Sequence, residues 1–370
     1  MDDLWHYPRT AFAQEVYATL THGPVRGMRL FGPRRSGKTE FLRHDLAPLA
    51  DGRGHRVLYI DCWQGGDSPL ALLLYELDRA LRAGPLAQRL KTAATQLATK
   101  FTLSLGPGTI EVDCSGLRGK APENYLLLVD QYCERLASGD KPAFLLFDEF
   151  QQLAHSPSAD MIAALRASLN KRRDKLLAVF TGSSQRELRR MFSTRDAPFF
   201  RYAQSVDLPR LDEAFIDHQL AVCASVFTRN IERPAALDAF AHFNNNPQLF
   251  QQWLMAFGTR SELSAQQAIA EVEQQFAEEL GFGIQWRELT PAQRATARML
   301  AESVQSMFGA EGAAFIEALT GGPAPSPSTR QAAIKRLSRL GLADKRDAQW
   351  QLSEPLFENW VRGRPGQDFR

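Results

Sequence analysis

Cysteine is scarce in this chain: four in 370 residues, at Cys62, Cys114, Cys133 and Cys223. They lie far apart, with no C-x-x-C pair and no Cys/His cluster. That excludes the spacing of a zinc site and gives no basis for a disulfide framework. Long apolar runs are missing as well, and none approaches the ~20 residues that a membrane-spanning helix needs. The first residues, Met1-Asp2-Asp3-Leu4-Trp5, have neither the basic nor the apolar region of a signal peptide. These absences point to a cytoplasmic protein with no membrane partner. An excess of charge of one sign is missing too. A formal net charge of +2 does not by itself imply nucleic acid as a partner. There is no internal repeat and no long low-complexity tract.

What is present is ordinary in amount and informative in order. An apolar fraction of 44% is that of a globular protein, and 370 residues suggest two or three domains. A helical pattern over Thr10–Leu20 opens the chain. Apolar runs at Gly27–Phe31, Arg56–Asp61, Phe144–Asp148, Leu176–Thr181 and Ser205–Leu208 read as strands. Helical stretches at 37–50, 68–83, 122–138, 157–172 and 184–192 alternate with them. This alternation implies an α/β fold with a parallel sheet covered on both faces. One segment departs from it. Lys100–Cys114 alternates apolar and polar residues on both sides of Gly106-Pro107-Gly108, which is a hairpin pattern. The hairpin is either an insertion that touches a neighbouring subunit or a ligand, or a decorated sheet edge.

The most specific motif follows the first strand. Gly32-Pro33-Arg34-Arg35-Ser36-Gly37-Lys38-Thr39 fits G-x-x-x-x-G-K-[ST], the phosphate-binding P-loop, between an apolar strand and a helix. The glycines let the backbone turn sharply and approach an anion closely. Main-chain N–H groups and the helix N-terminus then face phosphates. Lys38 is placed to reach the β- and γ-phosphates, and Thr39 to hold Mg²⁺. Glu40 directly behind them completes the expected nucleotide-contacting set.

Two carboxylates end the most apolar strand. Asp148 is placed to orient Mg²⁺, and Glu149 to polarise the attacking water as general base. The next strand ends in Thr181-Gly182-Ser183-Ser184. A hydroxyl there suits the role called sensor 1, with Ser183 the first choice and Ser184 the second. Serine also suits the N-cap of the following helix. Arginines are plentiful downstream. Arg201, just before the last strand, sits where an arginine finger would cross to a neighbour in a ring-forming ATPase. Arg34 and Arg35 either add charge in cis or face solvent.

From Pro209 to about Gly283 the pattern is helical, and residues 207–285 carry 11 acidic and 4 basic side chains. After Trp286, helical patterns at 291–306, 311–320 and 328–340 lead to two short strands, Leu342–Lys345 and Gln349–Leu352. That is the order of a winged helix. Residues 286–370 carry 12 Lys/Arg and 9 Asp/Glu, a slightly basic balance. Arg330, Lys335, Arg336 and Arg339 on the third helix, with Lys345 and Arg346 on the wing, could contact phosphates. Ile334, Leu337 and Leu340 define the core face of that helix. Its basic residues serve either DNA, a protein partner or only solvation.

The ordered set Gly-Pro-Arg-Arg-Ser-Gly-Lys-Thr, Leu-Leu-Phe-Asp-Glu-Phe and Phe-Thr-Gly-Ser-Ser resembles the archaeal-type ATPases. These are P-loop proteins, also bacterial, related to the AAA+ and STAND NTPases. Asp207-Leu208-Pro209-Arg210-Leu211, Asn244-Asn245-Asn246-Pro247, Ala332–Leu342 and Leu352–Phe357 extend the resemblance along nearly the whole chain. It implies a core of five parallel strands over 1–208, a helical lid over 209–285 and a winged-helix domain over 286–370. Nucleotide, ATP or ADP, would lie between core and lid, with Pro247 in the lid motif. Tyr7-Pro8-Arg9-Thr10 is similar to the segment that packs near the base, which brings Arg9 into the set; its other reading is a plain helix entry. The sensor 2 arginine of related proteins has no counterpart at Asn246-Pro247-Gln248. The function implied is a Mg²⁺-dependent ATPase that couples nucleotide state to conformation or assembly, with a homo-oligomer as the assembled form. The alternatives are a slow nucleotide-gated switch that recruits a protein partner and an ATP-regulated DNA-binding protein.

Overall fold

A computed structural model describes residues 4–65, 69–82, 100–105, 108–113, 124–155, 159–346 and 349–369. The chain divides into two compact units, Met1–Arg210 and Leu211–Arg370. In chain order the first unit has strands β1 (Gly27–Phe31), β2 (Val57–Asp61), β3 (Lys100–Leu105), β4 (Gly108–Asp113), β5 (Ala143–Asp148), β6 (Leu176–Thr181) and β7 (Gln204–Asp207). Five of them form one parallel sheet in the order β2-β5-β6-β1-β7.

The apolar runs are explained by burial on both faces. Every residue of β5 and β6 is buried. The pleat sends Phe144, Leu146, Leu177 and Val179 to one face and Leu145, Phe147, Ala178 and Phe180 to the other. The first face is covered by α1 (Thr10–His22) and α2, through Val16, Leu20, Phe41 and Leu46. Helix α2 begins as Lys38–Glu40, widens through a π-helical stretch, Phe41–Leu46, and ends as Ala47–Gly52. Helices α3 (Pro69–Arg82), α4 (Asn124–Ala137), α5 (Ala159–Lys171) and α6 (Gln185–Ser193) cover the second face, through Leu77, Val129, Leu165 and Leu188.

β3 and β4 pair antiparallel, from Lys100 opposite Asp113 to Leu105 opposite Gly108. They form a two-stranded sheet apart from the main one, as the hairpin pattern predicts. The turn residues Gly106 and Pro107, Cys114, and Asp347-Ala348 lie outside the described residues.

The second unit continues with α7 (Glu213–Val226), α8 (Arg233–His242), α9 (Pro247–Thr259), α10 (Ala265–Glu279) and α11 (Phe282–Glu288). Phe215, Phe240, Phe250 and Trp253 are buried among them. Then α12 (Pro291–Ala301), α13 (Ala310–Thr320) and α14 (Pro327–Arg339) lead into the ribbon β8 (Ala343–Arg346) and β9 (Gln349–Leu352), followed by α15 (Pro355–Arg362). The winged-helix order is therefore present.

Two readings of α14 are corrected. Arg330 does not face solvent: it is 2% exposed, and its guanidinium donates to the carbonyls of Met307, Phe308 and Gly309. Three carbonyls of the preceding loop satisfy it, so it cannot serve phosphates. Leu340 does not complete the core face; it lies past the helix end and is exposed. Lys335, Arg336, Arg339 and Lys345 are exposed. Among the described residues, no helix is long and apolar enough to cross a membrane. Cys62, Cys133 and Cys223 are buried free thiols.

Candidate nucleotide site

Strand register brings the site together. Asp61 stands beside Asp148, Phe147 beside Phe180 and Leu30 beside Thr181. The carboxyl ends of β2, β5, β6 and β1 are thus level, which is where open α/β sheets hold ligands. The loop after β1 curls tightly. Gly37 has φ +87, and a Cβ there would lie 3.2 Å from the Arg9 guanidinium. Both facts favour glycine. Ser36 Oγ is buried without a hydrogen-bond partner among the described residues. Lys38 is buried at the head of α2, and its Nζ donates to Gly32 O at 3.1 Å and Pro33 O at 2.6 Å.

Asp148, 2% exposed, is the hub. Its Oδ2 accepts from Thr39 Oγ1 at 2.6 Å and Tyr59 Oη at 2.9 Å. Its Oδ1 accepts from Thr181 Oγ1 and from the Glu149 N–H at 3.1 Å. Four donors thus converge on its two oxygens. Burial, and then the facing Asp148 carboxylate, push the Tyr59 hydroxyl far above its ordinary pKa, so Tyr59 stays a donor. Sequence reasoning missed Tyr59 and Thr181. Only the register of β2, β5 and β6 marks them out.

Glu149 has φ +51, so its side chain leaves the strand direction. Its Oε2 accepts from Ser183 Oγ at 2.7 Å, from Ser183 N at 3.1 Å and from Gln151 Nε2. Ser184 instead caps α6, its hydroxyl accepting from Glu187 N at 3.4 Å. The cap therefore falls to Ser184, while Ser183 is tied to Glu149.

Arg9 reaches the loop. Its guanidinium donates to Ser36 O at 2.8 Å and Gly37 O at 3.4 Å, while its main-chain N–H donates to Asp45. His6 Nε2 also lies 3.0 Å from Asp45 Oδ1, so the buried Asp45 ties the N-terminal segment to α2. Burial lowers the pKa of Arg9, and Asp45 opposes that shift.

Glu40 is exposed and pairs with His44 at 3.3 Å along the helix. Pro33 and Arg34 are exposed, and Arg35 is half-buried with φ +60. Arg201 precedes β7, whose Gln204 stands beside Met28 and whose Asp207 stands beside Phe31. It therefore sits at the opposite end of the strands from the loop, roughly 10 Å or more away at the usual rise per residue. Its guanidinium lies over the Phe200 ring at 5.2 Å. Pro247 opens α9 in the second unit, where Asn246 Oδ1 caps the helix by accepting from Gln248 N and Leu249 N.

The donor chemistry fits a hard divalent cation. Thr39 and Asp148 put two oxygens together, and Mg²⁺ takes few protein ligands beside water and phosphate. No cluster of three or more His, Cys, Asp or Glu that would hold another metal occurs among the described residues.

Residues 26–192 match the model of a family described as an AAA domain. No curated protein matched the sequence. Among solved structures, the chain is similar to the Walker-type ATPase of Pyrococcus abyssi, with TM-score 0.64 and 16% identity over 97% of this chain and 100% of that one. It is also similar to the ORC2 protein of Aeropyrum pernix in its ADP form, with TM-score 0.56 and 15% identity over 97% and 92% of the two chains. Identity this low shows a common fold and nothing finer. Residues 26–192 thus match an AAA domain by model, motifs and sheet, and the chain shares the fold of the Walker-type ATPase of Pyrococcus abyssi.

Proposed function

We propose that this protein hydrolyses ATP with Mg²⁺ and uses the change of nucleotide state to alter its conformation or assembly. The observation that carries the reading is the convergence of Lys38, Thr39, Asp148, Glu149 and Ser183 at neighbouring strand ends. The loop N–H groups and the head of α2 would face the phosphates. Lys38 would exchange the carbonyls of Gly32 and Pro33 for β- and γ-phosphate oxygens. Thr39 and Asp148 would hold Mg²⁺, whose charge offsets that developing on the transferred phosphoryl group. Glu149 takes the proton of the attacking water, and Ser183 holds the carboxylate that does so. Arg9 adds positive charge beside the loop.

Lys38→Ala tests the site. ATP binding by calorimetry should be lost or greatly weakened, because the point charge aimed at the phosphates is gone. Unchanged affinity would put the nucleotide elsewhere.

Arg201 belongs to this reading only in trans, given its distance from its own loop. Specific activity should then rise with protein concentration. Mixing Arg201→Ala with Lys38→Ala subunits should restore some turnover, since one interface pairs an intact loop with an intact arginine. Concentration-independent activity in a monomer would leave Arg201 as an ordinary surface charge.

A second reading, ATP-regulated DNA binding, is favoured by the exposed Lys335, Arg336 and Arg339 on α14. DNA affinity that falls steeply with added salt supports it, and salt-independent or absent binding argues for a protein partner.

A further inference from the structure

Gln151 stands two residues beyond the proposed base, in the short turn of helix Phe150–His155 that follows β5. It is 1% exposed. Its Nε2 donates to Glu149 Oε2 and lies 3.4 Å from Ser183 Oγ. The other end of the amide is poorly served. Oε1 is buried with no hydrogen-bond partner among the described residues. It lies against Gly182, where an added Cβ would be 2.1 Å away. A buried acceptor left unpaired is destabilising. A leucine of similar size would fill the same space without that penalty. Packing therefore does not account for an amide here, whereas its donor does.

We propose that Gln151 is a positioning residue for ATP hydrolysis. With Ser183 it commits Oε2 of Glu149 to donors and leaves Oε1 to take the proton of the attacking water. The proposal rests on the reading of Glu149 as general base. Three donors reach Oε2: Ser183 N, Ser183 Oγ and Gln151 Nε2. Oε1 accepts no hydrogen bond among the described residues. The last torsion of a glutamate is broad and nearly two-fold, so a carboxylate without such fixed donors exchanges its oxygens freely. Charge-assisted bonds from two side chains and one main-chain N–H remove that freedom. Gly182 belongs to the device, because a side chain there would push the amide off the base.

The test is steady-state ATP turnover, ATP affinity by calorimetry and thermal melting, on the full chain. Gln151→Leu should lower kcat on the order of 10- to 100-fold, the usual cost of a misplaced catalytic group. ATP affinity should be unchanged and the melting temperature should not fall. Gly182→Ala keeps the amide but denies it room, and should show the same kcat defect. In a Glu149→Gln background, adding Gln151→Leu should produce no further loss, since the residue acts only through the base. Wild-type kcat in Gln151→Leu overturns the proposal, as does a higher kcat, a defect that multiplies onto Glu149→Gln, or an earlier melt that would make the amide structural. Full activity in Glu149→Gln removes the base itself, and the proposal with it. An inactive Glu149→Gln beside a fully active Gln151→Leu removes the proposal alone.

Discussion

The two units differ in where their densest polar contacts converge. In the first, hydroxyl, amide and main-chain donors converge on two carboxylates at strand ends, Asp148 and Glu149. In the second, arginines converge on main-chain carbonyls. Arg229 reaches Phe257, Arg260 and Leu263; Arg294 reaches Trp286, Arg287 and Asp368; Arg362 reaches Ala301. Several of these carbonyls end α9, α11 and α12, where the last C=O groups have no partner within the helix. The first pattern holds two carboxylates in fixed positions. The second closes helices. The difference teaches that a basic residue in the helical unit is not a free charge by default.

The largest effect that tests this contrast is on turnover. Glu149→Gln keeps size and hydrogen-bonding capacity but loses the base. ATP should still bind while kcat falls about 10²- to 10⁴-fold, with little change in melting temperature. A strand-end carboxylate whose loss left turnover intact would erase the functional half of the comparison.

Arg330→Met comes next and should do the reverse. It keeps the apolar stem but leaves the carbonyls of Met307, Phe308 and Gly309 without the guanidinium. Denaturant titration should show a loss of about 1.5–3 kcal/mol, the range for hydrogen bonds to a charged group. Turnover per folded molecule should not change. Equal stability would show that these arginines are decoration.

The smallest effect sharpens the contrast within the first unit. Glu76 is 5% exposed, pairs with Arg79 at 2.8 Å and, among the described residues, has none of the hydroxyl donors that surround Asp148. Burial pushes its carboxyl up to about 7, with Arg79 opposing the shift and Asp61 adding to it. A raised carboxyl binds its proton more tightly in the folded chain. The stability it contributes is therefore complete below about 4.5 and lost as pH rises through about 7. Glu76→Gln should remove that decline, so melting temperatures of variant and wild type should diverge as pH rises across this window. A constant difference across the window would show that Glu76 ionises freely.

Much of the fold was legible because burial on both faces writes continuous apolar runs. The run Phe144–Phe147 and the loop Gly32–Thr39 announce a central strand and the turn beside it. The hairpin and the wing were legible as well, since alternation around a turn is local. Tyr59 and Thr181 were not, because what makes them partners of Asp148 is the register of three strands far apart in sequence. Ser183 and Ser184 could be ranked but not separated by role: a cap and a partner of Glu149 suit the same residue type, and only the direction of each hydroxyl separates them. Arg330 was misread because an arginine stem packs like an apolar side chain, so a helical pattern cannot say where the guanidinium ends.

Glu149 carries its carboxylate on left-handed backbone, φ +51, a conformation that glycine adopts freely. A glycine at that position would relieve roughly 1 kcal/mol of local backbone strain and delete the proposed base at the same stroke. Backbone ease and turnover therefore pull in opposite directions at this one residue. A lineage that needed only a folded nucleotide-binding scaffold would be free to drift toward glycine there. One that must cycle ATP is held to glutamate and to its strained backbone.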